Sequence, residues 1–314
     1  MKKTKGKVEL RYYDVPQNEF LIALQGDHWK RRYGSENSLM HFHNLMEIGV
    51  CHYGSGVLLL EQESHPYHAG MISVIPPNYP HNTVSREQTE SYWEYLFVDV
   101  EKILQAMYPD DLLFQQKMLE KVNQKAYLGR ESDAAELAAL VHTILEEIRQ
   151  KRDVLYKESV RGLSLALLIQ IVRINSGSAL LSEGGLRQKR GGFDQVRPAL
   201  EYIRSHYAQP MKISEIASVC HISESHFRRL FEENIGMTPV EYLNQVRIRK
   251  ACDLIKKTGN SMEEIAVKVG FTTTSTFNRN FKRITGTSPY QWKKQPDNYE
   301  SRLAEYNVLI EKGW

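Results

Sequence analysis

Apolar positions change their period once, near residue 100, before periodicity lapses near residue 175. Between residues 8 and 100 they fall in short β-branched and aromatic runs, VLLLEQ (57–62), GMISVIP (70–76) and WEYLFVDV (93–100), broken by Gly, Pro, Asn and His. Such runs with turn residues between them predict strands of a sandwich or small barrel. From 101 to 175 the spacing becomes helical. EKILQAMYPDDLLFQQKMLEKVN predicts two short amphipathic helices broken near Pro109. Residues 132–152 place apolar side chains at 137, 140, 141, 144, 145 and 148, one face of a helix, with Ser132 as its N-cap. VRGLSLALLIQIVRI (160–174) is apolar on nearly every side, which suits a helix buried between neighbours or against a second subunit. Residues 175–193, rich in Gly, Ser and charge, lose all periodicity and read as a linker.

Beyond the linker one pattern occurs twice. Residues 212–239 (KISEIASVCHISESHFRRLFEENIGMTP) and 261–289 (SMEEIAVKVGFTTTSTFNRNFKRITGTSP) each open with a short helix carrying Ile-Ala. Each crosses a turn into a helix with Phe at i and i+4, then closes on Gly and Ser/Thr-Pro. Two copies of one unit within about 50 residues mark a repeat. The unit has the anatomy of a helix-turn-helix, whose second helix enters the DNA major groove. A lead-in helix is expected over 196–207, with Pro198 in its first turn and Val196, Leu200, Ile203 and Tyr207 as its apolar stripe. Ser223 and Thr272 or Thr273 are natural N-caps of the two second helices, and Thr238–Glu241, Ser261–Glu264 and Ser288–Gln291 are capping boxes. The stretch PVEYLNQVRIRKACDLIKKTG between the copies predicts a rod of roughly 27–30 Å. That is close to one turn of DNA, about 34 Å.

Charge sharpens this picture. Residues 194–294 carry sixteen Lys/Arg against ten Asp/Glu, whereas 1–193 carry 23 against 24, so the excess positive charge lies with the repeat. The three cysteines form no C-x-x-C pair and predict reduced thiols. No stretch reaches the length of a membrane span, and the basic N-terminus has no apolar run behind it to make a signal peptide. The final stretch, 295–314, is expected to form a short helix.

The strand region holds the candidate chemistry. His41-Phe-His43-Asn-Leu-Met-Glu47 is followed by Gly54, and Gly70 by Pro76-Pro77-Asn78 and His81. In a strand His41 and His43 share a face, with Glu47 joining across a short excursion and His81 from a neighbouring strand. These motifs resemble those of the cupin family. Asn78 stands where a Gly belongs, Ser85 where an Asn does, and Gly34 lies one residue too far from His41. Three imidazoles and a carboxylate can line a metal-free effector pocket, hold Zn, Fe, Ni or Mn, or serve structure alone. The first is the reading adopted: effector-binding His41, His43, Glu47 and His81, with Trp29 and Trp93 among the aromatic residues offering a surface for stacking.

The double helix-turn-helix, ending in GFTTTSTFNRNFKRITGTSPYQW, resembles the AraC/XylS family of bacterial transcription regulators. The resemblance implies that the outward positions of both second helices contact bases: Ser225, His226, Arg228 and Arg229, then Thr274, Ser275, Asn278 and Arg279. Lys282 and Arg283 are placed for phosphate. The expected architecture is multidomain α and β. A cupin-like β-barrel (1–100) with a helical, dimerising layer (101–175) precedes a linker (176–193), an all-α double helix-turn-helix domain (194–294) and a tail (295–314). The implied function is a cytoplasmic, homodimeric regulator of promoter DNA, an activator working with RNA polymerase and answering to a sugar. It is not expected to be an enzyme or to need a cofactor.

Overall fold

The structure, a computed structural model, describes residues 9–11, 13, 15, 19–34, 40–61, 63–87, 89–150, 154–176 and 192–294. They form two compact units, the first ending at residue 176 and the second beginning at 192. The expected linker, from 177 on, and the tail lie outside the described residues.

The first unit begins with ten strands: β1 (Glu9–Arg11), β2 (Leu21–Leu24), β3 (Lys30–Arg31), β4 (His41–His43), β5 (Met46–Tyr53), β6 (Ser55–Leu60), β7 (Glu63–His68), β8 (Met71–Ile75), β9 (His81–Ser85) and β10 (Ser91–Val98). Then come α1 (Val100–Met107), α2 (Leu112–Val122), β11 (Tyr127–Arg130), α3 (Ala135–Gln150) and α4 (Tyr156–Ser176). The strands make two sheets, ordered β1-β4-β9-β6-β7 and β11-β8-β5-β10-β2, with β3 also paired to β10.

The central pair, β5 and β10, explains why the sequence runs are apolar without alternation: both faces of their sheet are covered. Met46, Ile48, Val50, Leu96 and Val98 face one way, into a core shared with Ile103 and Leu104 of α1, Leu137, Val141 and Ile144 of α3, and Leu167, Leu168 and Ile171 of α4. The intervening residues pair across the strands as Glu47 with Phe97, Gly49 with Tyr95 and Cys51 with Trp93. They face the first sheet, where Phe97 meets His43 and Trp93 meets Tyr67. Val160, Leu167, Leu168 and Ile171 of α4 thus find cover within their own unit, while Ile169 is exposed.

Three expectations are corrected here. The run WEYLFVDV leaves the sheet at Val98, because Asp99 accepts from Lys102 N (3.1 Å) and starts α1. Ser132 sits in a 3-10 turn ahead of α3, and its hydroxyl donates to Asp133 rather than capping the helix. β11 was not anticipated; it pairs with β8 and interrupts the helices.

The second unit is helical: α5 (Gly192–His206), α6 (Ile213–Val219), α7 (Glu224–Ile235), α8 (Pro239–Lys257), α9 (Met262–Lys268), α10 (Thr274–Thr285) and α11 (Pro289–Lys294). Pro198 lies inside α5 rather than in its first turn, because the helix starts upstream at Gly192. Every other expected cap forms. Ser223 accepts from His226 N, Thr273 from Thr276 N, and Thr238–Glu241 and Ser261–Glu264 make reciprocal boxes. Ser288 and Gln291 exchange the same pair of bonds. Val196, Ala199, Leu200 and Ile203 of α5 are buried with Ile216, Ala217, Phe227 and Phe231. Ile265, Ala266, Phe277 and Phe281 pack with Ile248, Ala251, Cys252 and Ile255 of α8 in the second copy. In the first copy Tyr242 of α8 meets the Phe231 ring edge-on at 5.8 Å, so the rod belongs to both cores.

The three cysteines are buried and none is in a disulfide, and burial pushes the Cys51 thiol up to about 12. Among the described residues no helix is long and apolar enough to cross a membrane.

Candidate effector site and nucleic-acid interface

His41 and His43 come from β4, Glu47 from β5 and His81 from β9, and the first sheet meets the second through them. All four side chains are buried, and one ligand atom from each lies within 4.8 Å of every other. The Glu47 carboxylate is the hub, with Oε2 at 3.1 Å from His43 Nε2 and 3.3 Å from His81 Nε2. The opposite ring nitrogens are engaged as well: His43 Nδ1 lies 2.8 Å from Leu45 O, and His81 Nδ1 lies 2.7 Å from Tyr79 O. A carbonyl only accepts, so both Nδ1 atoms carry the proton and both Nε2 atoms are turned on Glu47. Burial lowers the His43 pKa, against the hydrogen bond to Glu47, which only a protonated Nε2 can donate. Burial also pushes Glu47 up, but the charge of His81 and the hydrogen bonds to His43 and His81 outweigh it and hold the carboxyl well below the usual range.

The departures from the cupin motif have local explanations. Asn78 adopts φ 59, a left-handed conformation that Gly takes freely and Asn tolerates. Its backbone N–H donates to His43 O (2.7 Å) and so fixes the histidine strand. Ser85 accepts from Tyr33 N (3.0 Å) and joins a hydroxyl cluster with Tyr67 and Ser91.

Trp29 and Trp93 are 2% and 1% exposed, and both pack on Tyr95: Trp29 edge-on at 5.4 Å, Trp93 stacked at 5.8 Å. Gly49 makes room for that ring, since a Cβ there would stand 3.0 Å from it. Trp93 Nε1 is buried without a protein acceptor. Sequence reasoning missed Arg31, whose guanidinium lies 4.8 Å from the Trp29 ring and 4.9 Å from the Tyr33 ring. Its only signal was the Trp-x-Arg-x-Tyr spacing, although Trp29 lies in a 3-10 turn and Tyr33 beyond β3.

In the second unit, α7 presents Ser225, His226, Arg228 and Arg229 to solvent, and α10 presents Ser275, Asn278, Arg279, Lys282 and Arg283, with Thr274 half-buried. Two of the cations are already engaged. Arg228 Nη2 lies 2.7 Å from Glu224 Oε1 one turn back. Arg283 donates to Asn280 Oδ1 (3.1 Å) and lies 3.7 Å from Glu241.

The two copies turn in the same way. Ile222 N bonds back to Ala217 O and Phe271 N to Ala266 O, across a left-handed residue that is His221 (φ 56) in one copy and Gly270 (φ 90) in the other. Sequence reasoning also missed Arg247 on α8. Its Nε donates to Tyr207 O (2.7 Å) and its Nη2 to Gln209 O (2.9 Å), and its guanidinium lies 5.6 Å from the Phe271 ring.

Comparison with known proteins follows this division. Residues 31–172 match the AraC-like ligand binding domain, and 216–295 match a helix-turn-helix domain. The HTH-type transcriptional regulator YfiF of Bacillus subtilis is 25% identical over 90% of this chain and 88% of its own length. An HTH-type transcriptional regulator of Haemophilus influenzae is 27% identical over 86% and 91%. Among solved structures, the C-terminal domain of the response regulator AraT from Geobacillus stearothermophilus is 30% identical, covering 32% of this chain and 84% of that one, with a TM-score of 0.31. ToxT from Vibrio cholerae is 14% identical, covering 88% and 98%, with a TM-score of 0.37. A cupin-like ligand-binding domain followed by two capped helix-turn-helix copies makes this chain a member of the AraC/XylS family of transcription regulators.

Proposed function

We propose that this regulator reads two adjacent DNA segments with α7 and α10 under the control of a small polar effector held inside the first unit. One observation carries the DNA half. The Phe pairs of both helices are buried, and α8, 19 residues or roughly 28 Å long, joins the two copies through both cores. That length suits readers in successive major grooves on one face of DNA. Ser225, His226, Arg229, Asn278 and Arg279 are the proposed base-facing positions. Lys282 and Arg283 are proposed to meet phosphate, Arg283 after releasing Asn280.

The effector half rests on the interior of the first unit. Buried hydroxyls, stacked aromatic rings, the histidine–carboxylate cluster and the unsatisfied Trp93 Nε1 together suit an oxygen-rich molecule, and a sugar is the proposed class. Activation through RNA polymerase, action as a homodimer and a cytoplasmic site of action are proposed on the family resemblance. Control requires the effector to favour one of two states of the chain. The test is a binding titration at fixed salt, promoter against random DNA, with and without candidate sugars. Equal affinity for both DNAs would refute sequence reading. Unchanged promoter affinity with every sugar would refute the effector class.

A further inference from the structure

The second helix of the first copy carries an acid that its counterpart lacks, and that acid is bonded to an arginine. Glu224 opens α7, and Arg228 follows one turn later. Arg228 donates from Nε (3.0 Å) and from Nη2 (2.7 Å), and both bonds go to Glu224 Oε1. One edge of the planar guanidinium is thereby closed. The other edge, between Nη1 and Nη2, faces a different direction and keeps two donors, the pattern that guanine O6 and N7 accept. Glu224 Oε2 takes no part in these two bonds and stays an acceptor. The cytosine paired with that guanine offers a donor, its N4 amino group. The couple thus presents two donors and an acceptor, against the two acceptors and the donor of one G·C pair in the major groove.

The two copies differ in a way that fits this pairing. Aligned on their caps, Ser223 and Thr273, Glu224 corresponds to Thr274 and Arg228 to Asn278. The acid occurs only where an arginine follows one turn later. At the far end of the same helices Glu232 and Glu233 stand where the second copy has Lys282 and Arg283, all four exposed. The first helix therefore offers little to phosphate, and the carboxylate beside Arg228 repels a phosphate but not a neutral base.

We infer that Glu224 is a specificity-determining residue of the first head: it holds Arg228 edge-on to the guanine of one G·C pair and keeps that arginine off the phosphates. This rests on the reading of α7 as a DNA-contacting helix. The N-terminal part of such a helix is the part that meets base edges, and both residues lie within the first five of α7. In water an exposed ion pair of this kind is weak; exclusion of water in the groove strengthens it.

The test uses the full-length protein and an operator that wild type selects from random DNA. Affinities for that operator, for its single-base-pair variants and for random DNA are titrated at several salt concentrations. The operator should contain a G·C pair whose replacement costs wild type on the order of 10-fold or more, and Arg228→Ala should erase that preference. Glu224→Gln, close in shape, should lose most of the preference at the same pair. It should also bind random DNA more tightly and steepen the salt dependence of log affinity by about 1, as Arg228 passes to a phosphate. Asn278→Ala should leave this pair's preference intact. A Glu224 that serves only as a favourable charge at a helix N-terminus gives another result: Glu224→Gln lowers the melting temperature and leaves the base preference unmoved. That outcome overturns the inference, as does an operator with no G·C pair that responds to Arg228→Ala. Circular dichroism identifies any variant that has failed to fold, and the wild-type selection needs no variant. Failure of wild type to prefer any sequence over random DNA removes the reader itself and this inference with it, whereas a selected operator read equally well by folded Glu224→Gln removes the inference alone.

Discussion

Arg247 joins the two DNA-reading copies, and its removal should be felt in both stability and spacing. From the middle of α8 it donates to Tyr207 O and Gln209 O, in the loop that leads into the first copy, while its guanidinium lies against Phe271 in the turn of the second. Gly270 closes on the same loop, since a Cβ there would stand 2.8 Å from both Tyr207 O and Ala208 O. A hydrogen bond from a charged donor contributes about 1.5–3 kcal/mol. Arg247 is half-buried and its carbonyl partners regain water once it is gone, so the lower end applies. Arg247→Met, which keeps the apolar stem, should therefore destabilise the second unit by about 2–3 kcal/mol. Arg247→Lys keeps the charge but not the fork and should lose about half of that. Urea unfolding followed by hydrogen exchange at 207–209 and 270–271 measures this. The functional assay uses an operator selected from random DNA by the wild-type protein, and the same operator with two base pairs inserted between its halves. That insertion rotates one half by about 70°, and a rigid double reader should lose one head's contacts. The variant, with its heads less firmly coupled, should lose less. An unchanged urea midpoint together with an unchanged insertion penalty would refute the argument.

The left-handed turn residues give a second prediction. His221→Gly should stabilise the second unit by up to about 1 kcal/mol, whereas Gly270→Ala, strained in φ and in contact with backbone, should destabilise it by about 2 kcal/mol or more; thermal melting reads both. Glu94 gives the third. It accepts from Tyr92 (2.7 Å), Gly26 N (3.3 Å) and Arg149 (2.9 Å), with His52 at 3.0 Å. Burial pushes it up, but these partners outweigh burial and hold its pKa at about 2. A depressed carboxylate stabilises the fold above its unfolded pKa and loses that contribution as pH falls from about 4.5 toward 2. Wild type should thus surrender roughly 1–3 kcal/mol over that window on account of Glu94, with allowance for the solvent around Arg149, while Glu94→Gln should start lower and show a shallower limb, the remainder coming from Glu47. Parallel acid limbs in urea titrations would exclude Glu94 as the cause. Finally, Arg279→Ala should cost about 1–3 kcal/mol of operator affinity and relax preference at one position; a uniform loss across all sequences would make Arg279 a phosphate contact instead.

How far the sequence reveals these parts depends on how local their causes are. The caps at Ser223, Thr238, Ser261 and Thr273 are legible because donor and acceptor lie three residues apart. His41 and His43 share a face by strand period alone, and the spacing of Glu47 follows from one tight excursion. Glu94 is not legible, because three of its four partners, Gly26, His52 of β5 and Arg149 of α3, lie 42 to 68 residues away. Arg247 is hidden for the same reason: on a helical wheel it is one cation among several on α8, and only packing sets it against the carbonyls of a loop 38 to 40 residues upstream. Ser132 misleads because its composition suits a cap, while pairing of β11 with β8 delays the helix by one 3-10 turn.

The same distinction changes what the two reading heads can be expected to do. Counting only the outward arginines expected to face bases gives the first head more charge, with Arg228 and Arg229 against Arg279 alone. Charge available to DNA is a different quantity. Arg228 is bound to Glu224 on its own helix, so a phosphate must compete with a carboxylate already in place. Glu224 in turn sits in the first turn of α7, where the helix dipole favours its negative charge. The second helix carries no acid in its first turn. The first head is thus the more selective about what displaces its arginine. The second is the readier electrostatic contact, with Arg279 and Lys282 on a helix that has no acid in its first turn. Because both heads hang on one shared rod pinned by Arg247, this difference acts within a single rigid reader: a weak match under one head cannot be relieved by swinging the other away.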